Sequence, residues 1–172
     1  MKNARPSTTD YNAYYETYVG KVQGEDIVAT LSNSFSETMQ FLKAIPTEKW
    51  DYAYAEGKWT VKELIMHIID TERVFSYRAL CIARNDKTPL PGFDQDEYAP
   101  FMNANNRTIE SLIEAYECVR KASLILFKNF TDEMWQRRGT ASDNTVTPLA
   151  IAYIIQGHQI HHFLVLKERY LK

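Results

Sequence analysis

Four stretches of this chain carry apolar residues at every third or fourth position, and none reads convincingly as a strand. That spacing lines one side of an α-helix. In residues 25–44 the line is Ile27, Leu31, Phe35, Thr38, Leu42 and Ile45, and Pro46 ends it. The second helix opens at Thr60-Val61-Lys62-Glu63, a capping box in which hydroxyl and carboxylate each serve the other residue's amide. Leu64, Ile68, Phe75 and Leu80 carry it to about residue 84. The third covers about 106–130 through Ile109, Leu112, Tyr116, Val119, Ser123, Leu126 and Phe130. The fourth starts with Thr147 as N-cap and Pro148 at the first helical position, where its missing N–H costs nothing, and runs to about residue 170. The expected fold is all-α: a four-helix bundle with long connections.

The 172 residues fit a single domain, residues 1–172, in which 1–24 is a polar, tyrosine-rich leading segment with Tyr11, Tyr14, Tyr15 and Tyr18 at helical spacing. Two connections, 85–105 and 131–146, are longer than bundle connections usually are. The first, with Pro89, Pro91, Gly92 and Pro100, is the expected lid. Twenty basic against twenty-two acidic residues give a net charge of −2, which argues against a general nucleic-acid binder. No continuous apolar run approaches the ~18 residues of a membrane span, and no apolar stretch follows the basic residues at the start. A cytoplasmic protein is expected, with Cys81 and Cys118 as buried free thiols. The tyrosine-rich segment and the apolar faces also suggest a homodimer.

The four histidines are unevenly placed: His67 in the second helix, and His158, His161 and His162 together in the fourth. His158 and His162, four apart, project from one face. They continue the core-facing line of Ile151 and Ile155 toward Val165. His67 lies beside Leu64 and Ile68, at the edge of the buried face of its own helix. Three imidazoles from two helices, facing inward, suit an open divalent-metal site. Core histidines with ordinary hydrogen bonds fit the same spacing, which alone does not choose. Gly157 costs up to ~1 kcal/mol in a helix relative to Ala, and close approach of a neighbouring group is a common reason to keep it.

The motifs KWTVKELIMH at 58–67, DTER at 70–73, YRAL at 77–80, PLPGFD at 89–94 and GHQIHH at 157–162 together resemble the DinB-like metalloenzyme superfamily, from about residue 11 to 170. The resemblance implies a four-helix bundle with one divalent metal on three histidines. Carried onto this chain those are His67, His158 and His162, with His161 as a neighbour. It also implies chemistry of the kind found in family enzymes that use bacillithiol, mycothiol or glutathione.

Glu63, one turn before His67, is the candidate catalytic base, although its capping role explains it equally well. Asp70 could orient a ligand histidine. Arg78 is the candidate for holding an anionic substrate group, with a salt bridge to Glu72 or to an acid on another helix as the competing role. Trp50 and Trp59 are expected to fill the bundle end. The expected function is transfer of a low-molecular-weight thiol to a small electrophile at a zinc or nickel ion. A metal-dependent hydrolase and a non-catalytic, metal-containing binding module are the alternatives.

Overall fold

The computed structural model describes residues 4–172. Four long helices make the bundle: α1 (Ile27–Ala44), α2 (Val61–Ala83), α3 (Ile109–Lys128) and α4 (Pro148–Val165), the last continuing through a wider π turn over Leu166–Tyr170. Each begins on a side chain that satisfies an otherwise orphaned amide. Asp26 accepts from Ala29 N at 3.0 Å, Thr108 from Ser111 N at 3.2 Å and Thr147 from Ala150 N at 3.1 Å. At α2 both halves of the capping box form, with Thr60 N donating to Glu63 Oε2 at 2.7 Å and Glu63 N to Thr60 Oγ1 at 3.2 Å.

α4 is buried over every residue from Pro148 to Gln159, so it is the central helix, and it packs against α2 more than any other pair packs. By length and composition alone the stretch Pro148–Tyr170 could cross a membrane, but 67% of its apolar window is covered by the rest of the bundle. A helix apolar all round is a core helix in such a setting.

The apolar interior divides in two. One cluster gathers Leu31, Phe75, Phe127 and Ile151 with the hairpin and the leading segment. The other gathers Leu42, Trp50, Leu64, Leu112 and Leu166. The residues between them along the helices are polar and buried: Thr38 on α1, Glu72 on α2, Arg120 on α3 and Gln156, His158 and Gln159 on α4. Arg120 corrects the expected face of α3. It is fully buried, while Val119 and Leu126 are only partly covered, and the inner line runs Leu112, Tyr116, Arg120, Ser123, Phe127. Leu80, expected inside, is 36% exposed. Neither cysteine is fully buried: Cys81 is intermediate and Cys118 exposed, and both are free.

Residues 131–146 are more ordered than the expected polar connection. After a short helix (Asp132–Gln136) comes an antiparallel hairpin of β1 (Gly139–Ala141) and β2 (Asn144–Val146), pairing Gly139 with Val146 and Ala141 with Asn144. Its two turn residues, Ser142 and Asp143, have φ of 51° and 61°, the left-handed pair a two-residue hairpin turn requires. The sequence hides this because neither turn residue is glycine. The hairpin in turn holds the long 85–105 connection: Leu90 N donates to Thr140 O at 2.9 Å and Ser142 N to Leu90 O at 3.0 Å.

Candidate metal centre

α2 and α4 bring His67, His158 and His162 together. Nε2 of His158 lies 2.9 Å from Nε2 of His67 and 3.0 Å from Nε2 of His162. The ligand atoms of all three lie within 4.8 Å of one another. A neutral imidazole has one N–H and one lone pair, so its Nε2 either donates or accepts. His158 Nε2 therefore cannot hydrogen-bond well to both neighbours at once. A cation among the three gives every lone pair a partner, and the donor set fits a divalent metal for that reason.

The rings are neutral. Burial lowers the pKa of His67 to about 4, and burial with the neighbouring imidazoles lowers that of His162 to about 3. Burial first, then its three histidine neighbours, push His158 well below the ordinary histidine value. Near pH 7 all three lone pairs are free to bind. Thr71 Oγ1 stands 3.5 Å from Nδ1 of His67, the position from which a neighbour can fix a ligand ring. Trp59 packs on His67 with ring centres 4.9 Å apart, so it serves the site as well as the bundle end. His161 stays outside the cluster, its ring 5.5 Å from that of Tyr18.

Gly157 explains how the leading segment reaches the site. A Cβ there would lie 2.0 Å from the carbonyl oxygen of Tyr18. The short helix Glu16–Val19 and the turn before it (Ala13–Tyr15) can thus lie flat on α4, and they place Tyr14, Tyr15 and Tyr18 beside His158. The result is a cleft of about 280 Å³ in which Phe75, Phe93 and these tyrosines form walls, with His158 and Thr71 lining it too. Sequence spacing identified the tyrosines only as a leading helix. The signal of their role was the glycine, which marked a close approach without naming what approached.

The other expected site residues are placed differently. Both Glu63 oxygens are engaged away from the histidines, one by Thr60 N and the other by Asn105 Nδ2 at 3.0 Å. Asp70 pairs with Arg73 at 3.0 Å rather than with an imidazole. Arg78 is buried, donating to Pro91 O at 2.6 Å and Ser142 Oγ at 3.0 Å, with its guanidinium over the rings of Phe75 and Phe93. It ties α2, the long connection and the hairpin together behind the cleft walls. Glu72 pairs with Arg120, not Arg78: Nε and Nη2 meet the carboxylate at 2.8–3.1 Å. Gln159 Oε1 accepts from Arg120 Nη2 and from Tyr116 OH, each at 2.6 Å, and Gln159 Nε2 donates to Thr38 Oγ1 at 2.9 Å.

Comparison with known proteins agrees with this architecture. YfiT from Bacillus subtilis, described as a probable metal-dependent hydrolase with an unusual four-helix bundle topology, superposes with a TM-score of 0.68 at 13% identity over 96% of this chain and 91% of its own. A mycothiol-dependent maleylpyruvate isomerase superposes with a TM-score of 0.66 at 13% identity, over 84% of this chain and 61% of that one. These likenesses show the fold. In sequence, a protein of Oceanobacillus iheyensis whose name places it among the metal-dependent hydrolases is 27% identical over 155 residues, 86% of this chain and 87% of the relative. Residues 30–166, which include α2, α3, α4, all but the first turn of α1 and the three converging histidines, match the model of the DinB superfamily, and the chain belongs to that family.

Proposed function

We propose that this DinB-superfamily protein is a metal-dependent enzyme in which His67, His158 and His162 hold one divalent ion, zinc or nickel, both of which accept imidazole nitrogen. The observation that carries the proposal is the convergence of three neutral imidazoles, two buried and one half-buried, beside an aromatic cleft. An ion so held keeps its full charge and acidifies a coordinated thiol or water. The chain's own residues do the rest. Thr71 steadies the His67 ring, Trp59 and Tyr18 shield the imidazoles from water, and Arg78 fixes Phe75 and Phe93 in the wall.

The reaction we propose is transfer of a low-molecular-weight thiol to a small electrophile. Among the described residues the cluster consists of imidazoles alone, with no carboxylate to act as a base on water. A thiol needs less help, because its pKa near ~8.5 is already close to neutrality. The name of the mycothiol-dependent neighbour supports this reading, and the hydrolase names of two relatives support the second, hydrolysis at the same site. Metal-loaded protein assayed with bacillithiol, glutathione, mycothiol or water alone against a panel of electrophiles separates them. Thiol-dependent turnover that stops on chelation and returns with metal is expected. Turnover with water alone makes the protein a hydrolase. No turnover by protein shown to hold its metal leaves a binding module.

A further inference from the structure

Beyond the reaction class, the lining of the cleft bears on which substrate it can take. Its walls are aromatic faces set at steep angles: Tyr14 and Tyr15 meet at 81° with centres 5.3 Å apart, Tyr14 and Tyr18 at 75° and 6.1 Å, and Tyr15 and Phe75 at 85° and 5.8 Å. The phenols remain protonated, since burial raises the pKa of both Tyr15 and Tyr18. In such edge-to-face pairs one face meets its neighbour's edge, and any ring face left open along the wall would attract a cation through its quadrupole. Among the described residues the charged side chains lining the cleft are Asp94 and Asp96, both acidic and exposed, and no lysine or arginine lines it. Arg78, just behind Phe75 and Phe93, opens on a neighbouring cavity, and its guanidinium is already engaged by Pro91 O, Ser142 Oγ and the Tyr15 hydroxyl.

We infer that the cleft takes a substrate bearing a compact cationic group, of the quaternary or alkylated ammonium class, seated among Tyr14, Tyr15 and Tyr18 and facing Asp94 and Asp96. A volume of about 280 Å³ suits a small head group rather than a whole large cofactor. The inference rests on the proposed reading that the histidine end of the cleft is the reactive end. An anionic group would face the Asp94 and Asp96 carboxylates, with the one nearby cation, Arg78, already engaged by Pro91, Ser142 and Tyr15.

Three molecules of nearly one shape test this by calorimetric titration into the full-length, metal-loaded protein: choline, the uncharged 3,3-dimethylbutan-1-ol and the anionic 3,3-dimethylbutanoate. Choline should bind about tenfold or more tighter than the alcohol, as stacking a cation on several rings allows, and the carboxylate should bind weakest. Asp96→Asn with Asp94→Asn should bring choline close to the alcohol; asparagine at 94 keeps an oxygen for the Asp96 and Glu97 amides, from which Asp94 Oδ1 accepts at 2.8 and 3.4 Å. Tyr14→Leu should weaken choline more than the alcohol. Equal binding of choline and the alcohol, preference for the carboxylate, or binding of none of the three would overturn the inference. Metal content measured on the same samples reports separately on the three-histidine site. A protein that takes no metal yet prefers choline contradicts the proposed function and not the charge selection.

Discussion

The middle of the bundle contains two buried polar clusters built on the same helices, and they are unlike. In one, Glu72 of α2 and Gln156 and Gln159 of α4 close around Arg120, with opposite charges paired and oxygen acceptors opposite N–H donors. In the other, interleaved with the first along α4, His67 meets His158 and His162 nitrogen to nitrogen, with no carboxylate among the described residues of the cluster and too few protons to satisfy the contacts. A closed polar network specifies how helices dock, since each member has its partner within the fold. A cluster of lone pairs aimed at one another has its partner missing from the protein. Burial alone does not tell a functional polar group from a structural one; the balance of donors and acceptors does.

The largest expected effect falls on the closed cluster. Glu72→Ala leaves the Arg120 guanidinium, fully buried, without its counter-charge, and should cost ~3–5 kcal/mol in denaturant unfolding. His162→Ala in metal-free protein should cost only about 1 kcal/mol by the same measurement, because it removes no satisfied bond pair. Equal losses would erase the distinction between the two clusters.

Acid provides the next test. His67 and His162 have folded-state pKa values of about 4 and about 3, below the 6.5 of a free histidine. Between those values the unfolded chain binds protons that the folded chain does not. In metal-free protein the contribution is therefore intact above about pH 6.5 and is lost progressively as the pH falls through 4 toward 3, by several kcal/mol as an order of magnitude. Melting temperatures recorded across that window should fall, and His162→Ala should fall less steeply.

A local effect concerns the wall of the open cluster. Gly157→Ala puts a methyl group against the Tyr18 carbonyl and should cost about 1–3 kcal/mol, with the leading segment becoming more accessible to protease. Unchanged stability and protection would show that the segment can lift without loss.

Much of this was legible in the sequence, and what was not has a common cause. Local signals were sufficient for the capping box at Thr60, for Thr147-Pro148 and for the facing of His158 and His162, because each depends on spacing within one helix. Gly157 disclosed a close approach for the same reason. The pairing of Glu72 with Arg120 depends on the rotation of two helices about each other. Only Arg120 replacing Val119 in the inner line could have announced it, and a charged residue one position off a stripe reads as surface. Glu63 invited a catalytic reading by lying one turn from His67, yet its side chain points back to the cap and to Asn105. Tyr14, Tyr15 and Tyr18 become cleft walls only through tertiary contact with α4, which no periodicity within residues 11–18 encodes.

The metal content of purified protein and three single variants tests the central claim most directly. The wild type should retain about one divalent ion per chain after dialysis. His67→Ala and His162→Ala should lose it while their circular dichroism stays helical, and His161→Ala, whose ring packs on Tyr18 outside the cluster, should keep it. A wild type that binds no zinc or nickel, or an ion that survives His162→Ala and is lost in His161→Ala, would contradict the assignment of His67, His158 and His162 as the metal site.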